Sequence, residues 1–339
     1  MSVVVTAWIV NFWLPPLHMI YAPDHHFMRW IDAAARRRGL TLRWTPNDPD
    51  VVFASVFGDP KEPFDAFPNA RVRVFFTGEN QAARYLEHNS VAPAYDFAFG
   101  YVDTLPSAPA RRLHVPLWMF TFDMLDPDSE DLRHVARNAP PRADRGGACM
   151  VAGSDFFGHR RSLLDAFSAA GVRVDCPGVV GRNVAPIDAS LGRWEGKRRF
   201  LRGYAVCLCP ENSLGPGYVT EKLLEACWDG AVPVYWGEMS DLDRAVVNEH
   251  RVLRFANDDA RDVRRVAGEV GALLAEPERL CEQASMPVFA HGAVDAIAAA
   301  RAEVLAFLGQ AFDAAVSLSA SRRQARSRRP GGSAWTAGA

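Results

Sequence analysis

The stretch Cys207-Leu208-Cys209-Pro210-Glu211-Asn212-Ser213-Leu214-Gly215-Pro216-Gly217-Tyr218-Val219-Thr220-Glu221-Lys222, continuing to Cys227, most constrains how this chain can fold. Its apolar start reads as a buried strand, Gly215-Pro216-Gly217 as a tight loop, and the run opened by Thr220 as a helix that Gly230 stops. Val232-Pro233-Val234-Tyr235-Trp236-Gly237 follows as a second apolar strand. Strand, loop, helix and strand in that order build a parallel sheet. Such sheets bind anions where a strand end meets a helix N-terminus.

The same alternation runs through most of the 339 residues. Val3 to Val10 is a continuous apolar run, as expected of a strand buried on both faces, and Phe27 to Arg38 is an amphipathic helix stopped by Gly39. Short strands follow at Thr41–Trp44, Asp50–Ala54, Arg71–Phe76, Asp96–Tyr101 and Leu113–Trp118. Charge, proline and glycine then interrupt the pattern, and a second series begins at Ala148. The expected organisation is an α/β chain of two Rossmann-like domains. An N-terminal domain spans 1–122, a linker 123–147 and a C-terminal domain 148–293; a last helix over 294–318 is long enough to run back across both. Five arginines after Ser319 leave little to bury, so 319–339 is expected to be a disordered basic tail making at most weak peripheral contact with anionic lipid.

A net charge of −2 gives no global case for nucleic acid. The start carries no signal-peptide pattern, and no apolar run was expected to approach the ~20 residues that span a bilayer. The six cysteines show no C-x-x-C spacing, with Cys207 and Cys209 expected on the same side of one strand. These readings point to a cytoplasmic protein, peripheral at the inner face of the membrane if the tail engages it.

Lysine occurs only at 61, 197 and 222. At the head of the central helix Lys222 opposes the helix dipole and needs a compensating anion, which a diphosphate could supply beside the backbone amides of the glycine loop. Thr220 is expected to cap the helix, and Glu221 suits sugar or ribose hydroxyls or simply the dipole. Gly153-Ser154 followed by Gly158-His159-Arg160-Arg161 repeats the strand–loop–helix geometry, so either arginine could reach the same anion or merely be a solvated helix start. Glu79, ending the apolar strand Val74-Phe75-Phe76, is either a turn carboxylate or a base whose proton affinity is tuned by desolvation. Gly215 to Thr220 lacks the third glycine of a dinucleotide fingerprint, and no Walker A loop is present.

Pro210-Glu211-Asn212-Ser213 through Tyr218-Val219-Thr220-Glu221-Lys222, with Ala226, Gly230 and Val232 to Gly237, resembles the signature of α-1,3/4-fucosyltransferases, glycosyltransferase family 10. Asn11-Phe12-Trp13, Asp50 to Phe53 and Val74 to Asn80 resemble the acceptor domain of bacterial members. The resemblance implies a GT-B architecture, with two domains facing a cleft. It also implies inverting transfer of L-fucose from GDP-fucose to a glycan or lipid-linked glycan hydroxyl, in α-1,3 or α-1,4 linkage, without an obligatory metal or other cofactor. It makes Glu79 the general base and assigns Arg160 and Lys222 to the diphosphate leaving group. Asn212, Gly217, Tyr218, Thr220 and Glu221 become donor contacts. Pro210 departs from the aromatic residue common at its position. Two other readings stay open at this stage: another GDP-sugar or deoxysugar nucleotide as donor, and a non-catalytic protein that binds a sugar nucleotide.

Overall fold

The computed structural model describes residues 2–12, 26–103, 105, 109, 111–138, 145–188, 190, 193–255 and 259–327. Trp13, part of the linker and the last tail residues lie outside that set. The described residues of Met1–Thr77, Tyr85–Leu113 and Glu303–Ala339 make one compact unit, and those of Gly78–Arg84 and His114–Ala302 make the other.

The first unit is built on a six-stranded sheet of β1 (Val3–Val10), β2 (Leu40–Trp44), β3 (Val51–Ala54), β4 (Val72–Thr77), β5 (Phe97–Gly100) and β6 (Arg112–His114). Their order is β2-β1-β3-β4-β5-β6, and β1 to β5 pair in parallel. Every residue of β3 and β5 is buried, which is why these segments are uniformly apolar rather than alternating. The helix His26–Arg37 buries Trp30, Ile31, Ala34 and Ala35, the stripe that its spacing encodes.

The last helix, Ala293–Ser327, extends beyond the expected 294–318, so the arginine-rich segment begins as helix rather than as disordered tail. Contrary to the reading that no run approaches a membrane span, Ala293–Ser319 is long and apolar enough to cross a bilayer by length and composition. From Glu303 onward its apolar side chains are used within the first unit. Phe307 stacks edge-on to Phe97 with ring centroids 5.6 Å apart, and Phe312 meets Phe53 at 6.3 Å.

The second unit carries β7 (Ala148–Cys149), β8 (Val174–Asp175), β9 (Val206–Pro210), β10 (Val232–Trp236) and β11 (Leu253–Arg254), ordered β11-β10-β9-β7-β8 and parallel throughout the recorded pairings. β9 and β10 are wholly buried and run in register from Val206 opposite Val232 to Pro210 opposite Trp236. Both strands therefore end together, and the residues that follow emerge side by side. Helices His159–Ala169 and Ala260–Ala275 form where the apolar pattern places them. Cys207 and Cys209 do share a side of β9, their sulfurs 3.6 Å apart, and among the described residues no cluster of His, Cys, Asp and Glu could hold a metal.

The units divide the chain differently from the expected boundaries. Residues 78–84 and 114–122 group with the second unit, not the first. Asn80 explains the former: its side-chain amide donates to Ser213 Oγ at 3.0 Å and to the Leu214 carbonyl at 2.8 Å, replacing water around a buried polar group. Trp118 explains the latter. Its indole donates to Asp243 at 2.7 Å, and it lies in a helix, Trp118–Thr121, where a strand was expected. The linker also contains a helix, Glu130–Arg137, whose Ser129 side chain accepts from the Leu132 amide.

Phe312 is fully buried. Phe312→Ala should cost about 3–5 kcal/mol, read as a lowered midpoint in chemical denaturation; an unchanged midpoint would show that the end of the last helix is not part of the first unit's core.

Candidate active site

The end of β9 sets up the site. Glu211, the first residue beyond the strand, donates its amide to the Trp236 carbonyl at 3.0 Å, and its carboxylate has no exposed surface. A buried carboxylate must be paired and hydrogen-bonded, and this one accepts from four donors. The Thr220 amide and hydroxyl reach it at 2.8 and 2.7 Å, Lys222 Nζ at 3.0 Å and the Tyr235 hydroxyl at 3.4 Å. The anion that Lys222 needs is thus supplied by the protein. Burial would lower the proton affinity of this amine, but Glu211 and Glu221 outweigh it and the pKa rises. Lys222 also donates to Thr220 Oγ1 at 2.8 Å. An ammonium has three donors, so one remains among these described contacts.

Thr220 stands at the N-cap of the helix Glu221–Trp228, but its side chain does not cap it. The hydroxyl is committed to Glu211, a stronger acceptor because it is charged. Gly217 adopts φ +70°, a conformation that favours glycine, and a Cβ there would lie 3.1 Å from the His114 ring. The loop can therefore approach His114 only without a side chain.

Arg160 and Arg161 are separated by the structure. Arg161 is exposed, whereas Arg160 is buried and reaches the Pro210 carbonyl at 3.1 Å and Asn212 Oδ1 at 2.7 Å. Its Nε has no partner among the described residues, leaving a guanidinium donor unused. Asp155 receives the amides of both arginines, at 3.2 and 3.0 Å, and so caps the helix that carries them.

Asn212 continues the network to Glu79. With its oxygen taken by Arg160, its amide hydrogen-bonds the Glu79 carboxylate. Glu79 lies just beyond β4 and is half-buried. Burial raises its pKa above the ordinary 4.5, while Lys222 and Arg84 oppose that rise and Glu221 adds to it. Tyr218 is buried and its hydroxyl is held protonated well above the usual range, first by burial and then by Glu79 and Glu211. Glu79, Arg160, Asn212, Tyr218, Glu221 and Lys222 therefore belong to one electrostatic cluster in the second unit. The expectation that Glu79 would stand on the opposite domain is not what the structure has: Asn80 ties its segment to the Ser213–Leu214 turn.

Sequence reasoning does not single out Glu211, Asn80 or Asp155. Glu211 offers one usable signal, a carboxylate directly after an apolar strand and near a helix-head lysine. Asn80 and Asp155 look like ordinary turn residues, and only their partners show otherwise.

Two parallel, helix-covered Rossmann-like units define the class of the chain, the GT-B fold. No family model matches it. The chain is 27% identical over 264 residues to the α-(1,3)-fucosyltransferase FucT of Helicobacter pylori, a match covering 67% of this chain and 50% of that protein. It thus spans half the length of the curated relative. A crystal structure of an α1,3-fucosyltransferase superposes with TM-score 0.65 at 20% identity, covering 92% of this chain and 91% of the other. One solved with GDP-fucose gives 0.59 at 21% identity over 90% and 91%. The fold is the one these structures share, and the resemblance to α-1,3/4-fucosyltransferases carried by the Pro210–Gly237 motif is matched over two-thirds of the chain.

Glu211→Gln keeps the shape and removes the charge that Lys222 faces. Breaking a buried pair this way should destabilise the chain by about 3–5 kcal/mol in urea unfolding; a loss below about 0.5 kcal/mol, the size of a surface substitution, would mean the pair does not hold the helix head.

Proposed function

We propose that the chain transfers L-fucose from GDP-fucose to a hydroxyl of a glycan acceptor, with inversion at the anomeric carbon and in α-1,3 or α-1,4 linkage. The observation that carries this reading is the line Glu79–Asn212–Arg160: a carboxylate of raised proton affinity joined through one amide to a buried guanidinium with an unspent donor.

In this reading the acceptor oxygen attacks the anomeric carbon while Glu79 takes its proton. The bond from that carbon to the β-phosphate oxygen breaks, and its electron pair leaves with GDP. Arg160, the remaining donor of Lys222 and the head of the helix Glu221–Trp228 stabilise the charge that develops. Raising the proton affinity of a carboxylate makes it a better base near neutral pH, which is what burial does to Glu79. Asn212 orients both the base and Arg160. Gly217, Tyr218, Thr220 and Glu221 surround the donor, and no metal is needed because the cations are built in. The acceptor, a surface glycan or its lipid-linked precursor, and a peripheral position at the membrane's inner face belong to the same proposal.

Glu79→Gln should leave GDP-fucose binding within about twofold and lower turnover by roughly 10² or more, measured as fucose transfer. Near-normal turnover would remove Glu79 as the base. Because the base acts deprotonated and its pKa is raised, activity should fall as pH drops through a value above 4.5, and the Gln variant should lose that limb. Lys222→Ala strips the buried Glu211 carboxylate of its cation, so it should lower stability as well as weaken GDP binding, the affinity being measured by calorimetry at a temperature where circular dichroism shows the variant folded. Equal affinity in both proteins would exclude the phosphate role.

A further inference from the structure

Glu79 is followed by a turn that brings the chain back on itself. The Asn80 carbonyl accepts from the amides of Ala83 at 3.1 Å and Arg84 at 2.9 Å, and its Oδ1 accepts from the Ala82 amide at 3.1 Å. An asparagine that binds the backbone in this way closes a tight local turn. Arg84 is thereby fixed, through its own amide, to the residue that follows Glu79.

The other end of Arg84 is also placed. Its guanidinium carbon lies 4.0 Å from the ring centroid of Phe156, within the range of a cation–π contact, and both residues lie in the second unit. Phe156 belongs to the loop between β7 and the helix His159–Ala169, and Arg160 ties that loop down. Arg160 donates through Nη1 to the Ser154 carbonyl, and its amide donates to Asp155 at 3.2 Å. Phe156 is 60% exposed, so its ring adds little to any core.

These contacts close a circuit. Glu79 bonds Asn212, Asn212 bonds Arg160, Arg160 bonds the loop of Phe156, Phe156 holds Arg84, and Arg84 returns through Asn80 to Glu79. The half through Asn212 serves the proposed chemistry. The half through Arg84 and Phe156 has no part in it.

The charge on that second half has a use. Burial opposes the ionised form of Glu79 most strongly; Lys222 and then Arg84 favour it, Glu221 disfavours it and the Asn212 amide favours it. Tyr218 faces the same group with its hydroxyl protonated. Lys222 already shares its charge with Glu211 at 3.0 Å. In the nucleotide-sugar reading above, a diphosphate held by Lys222 and Arg160 would offset what remains. Of the two cations that favour the carboxylate, Arg84 is then the one left to keep it ionised as the acceptor arrives.

Resting on that reading, we propose that Arg84 is a positioning residue for the base: clamped on Phe156, it ties the Glu79 turn to the loop of Arg160 and faces the carboxylate with a fixed positive charge.

The test is the pH profile of kcat for fucose transfer by the full chain, with Arg84→Gln, Arg84→Lys and Phe156→Ala. A cation favours the carboxylate, so removing it raises the pH at which the base takes up its proton. The acidic limb of Arg84→Gln should therefore lie at higher pH than that of the wild type, its deficit in turnover shrinking as pH rises. Arg84→Lys keeps the charge without the flat stack and should lie between the two. Phe156→Ala releases the guanidinium from its place and should move the limb in the same direction as Arg84→Gln. It also carries the test if Arg84→Gln misfolds by circular dichroism, because an exposed ring is removed with little loss of stability. GDP affinity by calorimetry should stay within about twofold in all three variants. A limb that stays in place in both Arg84→Gln and Phe156→Ala would overturn the proposal. So would an equal loss of turnover at every pH, the mark of a merely structural contact. GDP binding weakened by about tenfold with the limb unmoved would overturn it too, and make Arg84 a donor contact. A limb that survives Glu79→Gln would remove Glu79 as the base, and the role of Arg84 with it.

Discussion

The buried Glu211 carboxylate is the interaction on which the site depends. A charge without solvent contact is tolerated only when surrounding donors replace its hydration, and this one has an amide, two hydroxyls and an ammonium. Those donors belong to three pieces of chain: the loop before the central helix, the helix itself and β10. Satisfying one carboxylate thus fixes the strand end, the helix head and the direction of Lys222 together. Removing one partner would leave an uncompensated buried charge, which is why such clusters resist piecemeal change.

That anchoring makes the neighbouring electrostatics specific. Lys222 is pinned on one side and keeps a donor for the other, while Arg160 is held by the carbonyl of Pro210 and by Asn212. Asn212 spends its oxygen on Arg160 and its amide on Glu79, so cation and carboxylate are spaced apart by one side chain instead of collapsing into a salt bridge. A collapsed pair would hold the carboxylate low and blunt it as a base. Here burial prevails and Glu79 is raised. The arrangement suits a displacement that takes a proton at one end and releases an anion at the other.

Placement of the Glu79 segment follows from backbone polar groups as much as from charge. Residues 78–84 leave β4, yet the Asn80 amide finds its acceptors in the Ser213–Leu214 turn. The last helix behaves conversely: from Glu303 onward it belongs with the first unit, where its phenylalanines fill the space beside β3 and β5. Both units therefore draw on chain from beyond their own sequence ranges, and no boundary read from composition alone could assign such segments.

What the sequence by itself determined was local and periodic. Apolar runs marked β1, β3, β9 and β10, and spacing marked the helices at His26–Arg37, His159–Ala169 and Ala260–Ala275. The strand–loop–helix motif marked Lys222 as a residue to watch, because burial and glycine conformations leave a readable pattern in a linear chain, whereas Asn212 and Tyr218 were marked only by the resemblance to a known family. Only the tertiary structure decided which partner each polar group has. It gave Lys222 an internal anion in place of a bare ligand site, took Thr220 from capping to Glu211, chose Arg160 over Arg161 and brought Glu79 to Asn212. These choices join residues from 9 and 11 positions apart, as for Thr220 and Lys222 with Glu211, to 52 apart for Arg160 and Asn212 and further still for Glu79, and hydrogen-bond complementarity leaves no period in the sequence.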